Sequence, residues 1–488
     1  MAGNVSERHP DYLDRESEWK LVRDCARGET KIKAEAEEYL PKPSAFNAEN
    51  APKGLYQAYQ QRAQFPDIFD PTVNGLAGTI HRTEAQIDLP AKLEPLWEKA
   101  TPDGLTLEAF HARITRELLE TGRYSILVGA SSEGSDMVWL AGYSTEALIN
   151  WSESRDFFVL DESGKVRNGF TWEDSKKFRV LELIDGVYSV RIFQGDNLNE
   201  VHRVTPQAKG GKPLEEIPFV VIGARDLSVK PETPPLIGVA RSAVAIYQLS
   251  ADYRWQLFMT GQETPTFINC DAPDAVGSGV TIRIGNDDPA IKADFKYVGP
   301  SGTGIEAHKA AIIDERQVAA AAGAKLFDTE TSSQESGEAR KTRYAAQTAS
   351  LITIAVSSAQ GLEKALRYAG RMIGLSGGEI EKIVVKPNLS FINTRLSSGD
   401  LLALVKSWQD GAISFETLYE NLQRGEIASA ERDAEAERKL IDEEMEGMDD
   451  PVITGALPMP ADPNAPPVDP NAVPGQQPSQ VKRNASAA

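Results

Sequence analysis

Four cations flank one polar stretch of the chain. Lys325 lies just before the segment Asp328, Thr329, Glu330, Thr331, Ser332, Ser333, Gln334, Glu335, Ser336 and Gly337, and Arg340, Lys341 and Arg343 follow it. The stretch holds no apolar anchor, so it has little to pack against and is expected to be a mobile loop. Cations grouped beside such a loop can touch phosphate oxygens transiently. The same residues on a helix also make an ordinary solvated face, paired with Glu335 and Glu338. Local sequence leaves the two readings open.

Other candidate chemistry is sparse. There is no GxxxxGK[ST] phosphate loop, no GxSxG elbow and no HExxH helix. Gly299–Gly304 reads GPSGTG before a helix, but its spacing fits neither nucleotide fingerprint, and it is expected to be a turn with a helix cap. The acid pairs Asp287–Asp288 and Glu443–Glu444 are adjacent in sequence, so on a helix they do not share a face and make poor acid–base pairs. Five histidines are scattered without HxxxH or Cys/His spacing, and His111, alone on a helix, reads as packing or surface. The expectation is a non-enzyme with no metal and no cofactor. Cys25 and Cys270 lie far apart and are expected as reduced thiols of a cytoplasmic product.

A chain of 488 residues exceeds one core and implies two to three domains. Its net charge of −20 argues against gripping nucleic acid over the whole surface. A channel with repulsive walls through which DNA slides is compatible with that charge, and so is acidity that serves only solubility. No apolar run reaches membrane-spanning length, and Met1–Ser6 is no signal peptide.

The elements that would hold the polar stretch are helices. Pro234 and Pro235 suit a first turn, and Leu236, Val239, Ala243, Ile246, Leu249, Tyr253 and Leu257 then recur as one stripe, stopped by Gly261 and Pro265. Thr266–Gly302 reads as short strands (TFINC, GVTIRIG, DFKYVG) joined by turns. A second helix spans Gly304–Phe327, and a long Ala-rich one spans Glu338–Gly374.

Before these lies a mixed body. Trp19, Val22 and Ala26 share a helix face ending near Gly28. The aromatics Tyr56, Tyr59, Phe65 and Phe69 read as core, with a contact between copies as the alternative. Asp70 is expected to cap a helix whose face is Val73, Leu76, Ala77 and Ile80. Leu105–Thr121 is amphipathic through Phe110, Ile114, Leu118 and Leu119, and Gly122 closes it. From Arg123 the period changes to two: YSILVGA, MVWLAGY, FFVLD, FRVLELID, VYSVRIFQ, NEVHRV and PFVVIG read as one antiparallel sheet, with KGGKP (Lys209–Pro213) a loop. After Gly374, IEKIVVKPNLSFINTRL reads as a strand pair broken at Pro387–Asn388. Asp400–Gln409 and Phe415–Gln423 are helices, the second capped by Ser414. Ile427–Glu446 is acidic, and the Pro-, Ala- and Asp-rich tail after Met448 is expected to be disordered.

Helix, small β excursion, helix, polar loop and long helix, in that order, resemble the portal proteins of tailed bacteriophages. EEIPFVVIGARD resembles the strand that leads into the portal stem. LSSGDLLALVKSWQDGAISFETLYENLQRGEI resembles the family's C-terminal region, and HPDYLDRESEWKLVRDCARGETKIKAEAEEYLPK resembles one subfamily's opening. The resemblance covers about Pro10 to Glu446 and rests on order and texture, since the family carries no catalytic signature.

The resemblance implies an α+β, portal-like fold. Its parts would be an α/β wing over 1–235, stem helix 1 over 236–262, a β-rich clip over 263–303 and stem helix 2 over 304–327. A tunnel loop over 328–337, a long helix and C-terminal wing over 338–395, a helical crown over 396–447 and a tail over 448–488 would complete it. It implies a homo-oligomeric ring, dodecameric in the virion, with non-specific double-stranded DNA in its channel and no membrane. Its partners would be the terminase large subunit, major capsid and scaffolding proteins, and head-completion or neck proteins. Lys325, Arg340, Lys341 and Arg343 would then flank the DNA, and the stem helices would turn apolar stripes towards neighbouring copies. A different virion or scaffold protein without a DNA channel, and an enzyme with an unrecognised site, are the alternatives.

Overall fold

Trp19 and Val22 are 1% and 0% exposed, and they fix how the first helix docks. The structure, a computed structural model, describes residues 4–47, 53–130, 137–261, 264–275, 284–285, 288, 290–299, 302, 304–323, 337–389, 398–424, 427–429 and 432–446. It divides into two units, Met1–Phe391 and Ile392–Ala488, of mixed α+β and helical composition respectively.

The first unit opens with α1 (Pro10–Ala26), α2 (Glu29–Ala34), α3 (Leu55–Arg62) and α4 (Phe69–Ile80). Tyr59, Phe65 and Phe69 are buried, and Tyr56 packs on the same core while its hydroxyl donates to the Leu40 carbonyl at 2.7 Å. The core reading of these aromatics therefore holds. Asp70 does not cap α4. Phe69, fully buried, already belongs to the helix, Ile68 takes the cap position, and Asp70 accepts from Arg116 at 2.6 Å instead.

Next come β1 (Gln86–Asp88), α5 (Pro95–Glu98) and α6 (Leu107–Thr121). The Thr106 hydroxyl accepts from the Ala109 amide at 3.2 Å, so α6 starts after it and two residues later than its apolar pattern. Phe110, Ile114, Leu118 and Leu119 are buried, and Gly122 ends the helix at φ +80°, which a residue without Cβ adopts freely.

The strands that follow are β2 (Arg123–Ala130), β3 (Val138–Ser144), β4 (Leu148–Trp151), β5 (Phe157–Asp161), β6 (Gly164–Asn168), β7 (Thr171–Ser175), β8 (Lys177–Ile184), β9 (Val187–Gln194), β10 (Asn199–Val204), β11 (Gln207–Ala208), β12 (Lys212–Pro213) and β13 (Phe219–Gly223). They form two main antiparallel sheets in place of the expected one, ordered β13-β2-β3 and β10-β9-β8-β5-β4. Periodicity alone shows that a strand has two faces, but not which strands share a sheet. Lys209–Gly211 of KGGKP form a turn as expected, but Lys212–Pro213 are strand: β11 and β12 pair across that turn as a short hairpin, with Gln207 opposite Pro213.

β13 explains the division of the core. Val220 and Ile222 point into a cluster with α4, α6 and the long helix α9 described below, while Phe219 and Val221 point into a second cluster with β5, β8 and β9. A strand buried on both faces reads as a continuous apolar run, and FVVIG is one.

The unit continues with α7 (Ile237–Thr260), β14 (Thr264–Ile268), β15 (Asp294–Val298), α8 (Ile305–Ala322), α9 (Gly337–Met372), α10 (Gly377–Glu381) and β16 (Val384–Lys386). β16 pairs with β1, Ile87 opposite Val385; the second strand expected after Pro387–Asn388 falls mostly on residues outside those described. Most of GVTIRIG, and residues 324–336 and 390–397, lie outside the described residues. α9 is 36 residues and about 54 Å long. From Leu351 onward it runs through the core, burying Leu351, Ile354, Ala355, Leu362, Ala365, Leu366 and Ala369. At Gly361 an added Cβ would sit 2.3 Å from Ile222 Cδ1, so only glycine lets α9 lie this close to β13.

The second unit holds α11 (Ser398–Gln409), α12 (Phe415–Arg424) and α13 (Ala434–Glu446). Ser414 caps α12 as expected, accepting from the Thr417 amide at 3.2 Å. Tyr419 is buried, and its hydroxyl lies 3.4 Å from Glu437 of α13. The Pro-, Ala- and Asp-rich tail lies outside the described residues.

Candidate functional site

α7 and α8 form an antiparallel pair. Gly238, near the start of α7, faces Ala322 at the end of α8 so closely that an added Cβ would stand 3.0 Å from the alanine Cβ. Gly304 meets Gln256 at the other end. Between them Ser242 donates to Glu315 at 2.6 Å. The β14–β15 ribbon links the far ends, with Phe267 opposite Phe295 and their rings 4.8 Å apart.

The stripe on α7 is used within the chain. Leu236, Val239, Ala243 and Ile246 are buried, and α1, α3 and α4 lie against the same helix as α8 does. The Cys25 thiol approaches the Ala240 carbonyl at 3.8 Å, Arg241 pairs with Glu18 at 3.2 Å, and the Tyr59 hydroxyl donates to Asp252 at 2.6 Å. The expectation that this stripe meets a neighbouring copy is therefore corrected for its first half: the N-terminal helices already cover it. What stays outside is Leu257 and Met259 on α7, with Ile313 and Val318 on α8, each between 41% and 53% exposed. Of α8 itself only Ala319 is buried.

A cleft of about 400 Å³ opens between Phe65–Pro66, α7 and α8. Ile246, Tyr253 and Ile312 line its wall, and Arg254, Lys309 and Arg316 stand around it.

Of the residues singled out in the sequence, Lys325 and 328–336 lie outside the described residues. Gly337, expected to close the loop, is the first residue of α9. Arg340, Lys341 and Arg343 fall within the opening turns of that helix.

α9 carries polar contacts that spacing did not reveal. Ser357 donates to the Gly223 carbonyl at 2.7 Å. Ser358 lies 3.2 Å from His111 Nε2, and Thr115 bonds both Ser358 (3.3 Å) and His81 (2.8 Å). Burial lowers both histidines, His111 to about 3. A serine beside a histidine is the layout of a nucleophile and its base. Here Ser358 is 0% and His111 3% exposed, so no substrate reaches them, and the contact is structural. His81 and His111 are far apart in sequence, and no local signal could have joined them.

A family model described as "Domain of unknown function (DUF4055)" matches residues 235–372, the stretch from the start of α7 to the end of α9. No curated protein matches the chain. Among solved structures, the chain is similar to the neck of an empty GTA particle with C6 symmetry, at 12% identity and a TM-score of 0.38, covering 78% of this chain and 95% of that one. It is similar also to the neck of a native GTA particle with C12 symmetry, at 12% identity and a TM-score of 0.38, covering 72% of this chain and 88% of that one.

Around this segment the body is tied by ion pairs. Arg23 of α1 meets Glu117 at 2.6 Å and Glu120 at 3.0 Å on α6, and Glu146 at 2.8 Å before β4. Burial raises Glu120; burial would raise Glu146 too, but hydrogen bonds from Arg23 outweigh it and lower that carboxyl. No helix among the described residues is long and apolar enough to cross a membrane.

Proposed function

We propose that the chain is a portal subunit of a phage-like particle. It assembles with copies of itself into a ring, a dodecamer in the virion, at one capsid vertex. The ring is the channel for genome DNA during packaging and ejection. It docks the terminase large subunit, sits among capsid and scaffolding proteins, and receives the neck proteins. The chain works by assembly and passage, not catalysis.

The observation that supports this reading most is the antiparallel α7/α8 pair, interrupted by a two-stranded ribbon and followed by the 36-residue α9. That order is the one the portal resemblance calls for. Ile313 and Val318 on the outer helix add to it, because apolar side chains left in water on one copy are covered when copies meet. Electron microscopy of the purified chain tests the proposal. Closed rings with a central bore are the expected images. Compact monomers would overturn it, and closed assemblies without a bore would favour a virion structural protein lacking a DNA channel.

A further inference from the structure

One groove of about 410 Å³ runs along α9 beside Leu227, on the body of the first unit. Lys364, Arg367, Tyr368 and Arg371 enter it from successive turns of the helix. Both of its carboxylates are engaged. Glu363 pairs with Arg367 at 2.8 Å and accepts from the Val385 amide at 3.0 Å. Glu216 pairs with Arg371 at 3.3 Å and accepts from the Tyr368 hydroxyl at 3.0 Å.

A further cation arrives from the other side. Arg155, in the turn between β4 and β5, donates to the Leu227 carbonyl that edges the groove. Its backbone sits at φ +62°, a left-handed conformation that side-chain-bearing residues seldom take. Lys364 is half-buried, with its ammonium 5.9 Å from the centre of the Tyr368 ring. Among the described residues, neither Lys364 nor Arg155 has a carboxylate within ion-pair distance. In a chain of net charge −20 the groove is a local reversal of sign.

We propose that this groove binds a phosphate monoester. Two cations remain after the two internal ion pairs, and a monoester carries about −1.5 to −2 charges on three acceptor oxygens at neutral pH. The Arg155 guanidinium, beyond the donor it gives the Leu227 carbonyl, keeps donors for such oxygens, and the lysine adds a point charge. A carboxylate or a bridging phosphodiester brings one charge and leaves a cation over. The volume admits inorganic phosphate or a mononucleotide. The site lies within one copy of the chain and does not depend on ring assembly.

Calorimetric titration of the full chain at low salt tests this, with inorganic phosphate, then adenosine monophosphate, then a blunt DNA duplex with unphosphorylated ends. Phosphate and the mononucleotide are expected to bind. Lys364→Gln should weaken both by about tenfold. Glu216→Gln, which removes an opposing charge, should tighten them, an effect that partial unfolding cannot mimic. Absence of binding to the unaltered chain, or unchanged affinity in Lys364→Gln, would overturn the site. Displacement of bound phosphate by the unphosphorylated duplex would overturn the monoester assignment. Rings that persist in Lys364→Gln show separately that assembly is untouched.

Discussion

The imidazoles of His81 and His111 meet edge to face, their centroids 4.8 Å apart, where the end of α4 crosses α6 beneath α9. Burial keeps both rings neutral, and His111 also lies next to His81, so protonating one opposes protonating the other. The free chain protonates histidine near 6.5; in the folded chain burial lowers both, His111 to about 3. Between those values the unfolded state binds more protons, so stability is fully present above 6.5 and falls as pH drops towards 3. Each histidine contributes a slope of up to about 1.4 kcal/mol per pH unit. Melting temperature should be level above neutral and decline between about pH 6.5 and 5, before most carboxylates titrate. His111→Gln should flatten that decline. An unchanged slope would show that the pair does not set it.

Arg123 is a buried cation with no carboxylate at ion-pair distance among the described residues. Its guanidinium donates to the Thr145 hydroxyl (3.0 Å), the Thr145 carbonyl (2.9 Å) and the Leu148 carbonyl (3.1 Å), between the rings of Trp19 and Trp151. Burial pushes it down to about 9, which leaves it charged at neutral pH. Arg123→Ala should cost about 3 kcal/mol or more, through orphaned carbonyls and a cavity. Arg123→Lys should recover little, since one ammonium cannot reproduce a planar fork. Urea unfolding midpoints check both variants.

Val318, and Ile313 at the edge of the cleft beside Phe65 and Pro66, test the ring from half-exposed positions. Changing both to aspartate should leave the unfolding midpoint within about 0.5 kcal/mol of the parent, as exposed substitutions do. Sedimentation should then show monomers in place of rings. Rings in the double variant would remove the outer face of α8 from the interface.

Arg340, Lys341 and Arg343 belong to the channel proposal. Their joint replacement by alanine should leave rings intact and reduce packaged or retained DNA, with a salt dependence, because phosphate contacts are screened. Full packaging at low and high salt would exclude them. Failure to form rings would make them structural.

The α+β class and most element positions were legible because apolar spacing is local. Phe110, Ile114, Leu118 and Leu119 announce α6, while the caps Thr106, His9 and Ser376 were overlooked. Long-range choices were not legible. Nothing near Val385 says that its partner is Ile87, and the β6–β7 hairpin carries too few apolar residues to stand out. For the candidate site, the helix pair was visible, but the coverage of α7 by α1 was not, because a stripe does not say which surface will meet it. The groove at Lys364 was equally hidden, since Arg155 and Glu216 join α9 only through the fold.

The close fit at Gly361, together with the Ser357 bond to Gly223, locks α9 in register with β13 much as a key locks a shaft in its hub. Sliding by one residue would bring a side chain against Ile222, and turning would break the serine bond. Either displacement gives up a contact, so one seat on β13 is preferred over its neighbours.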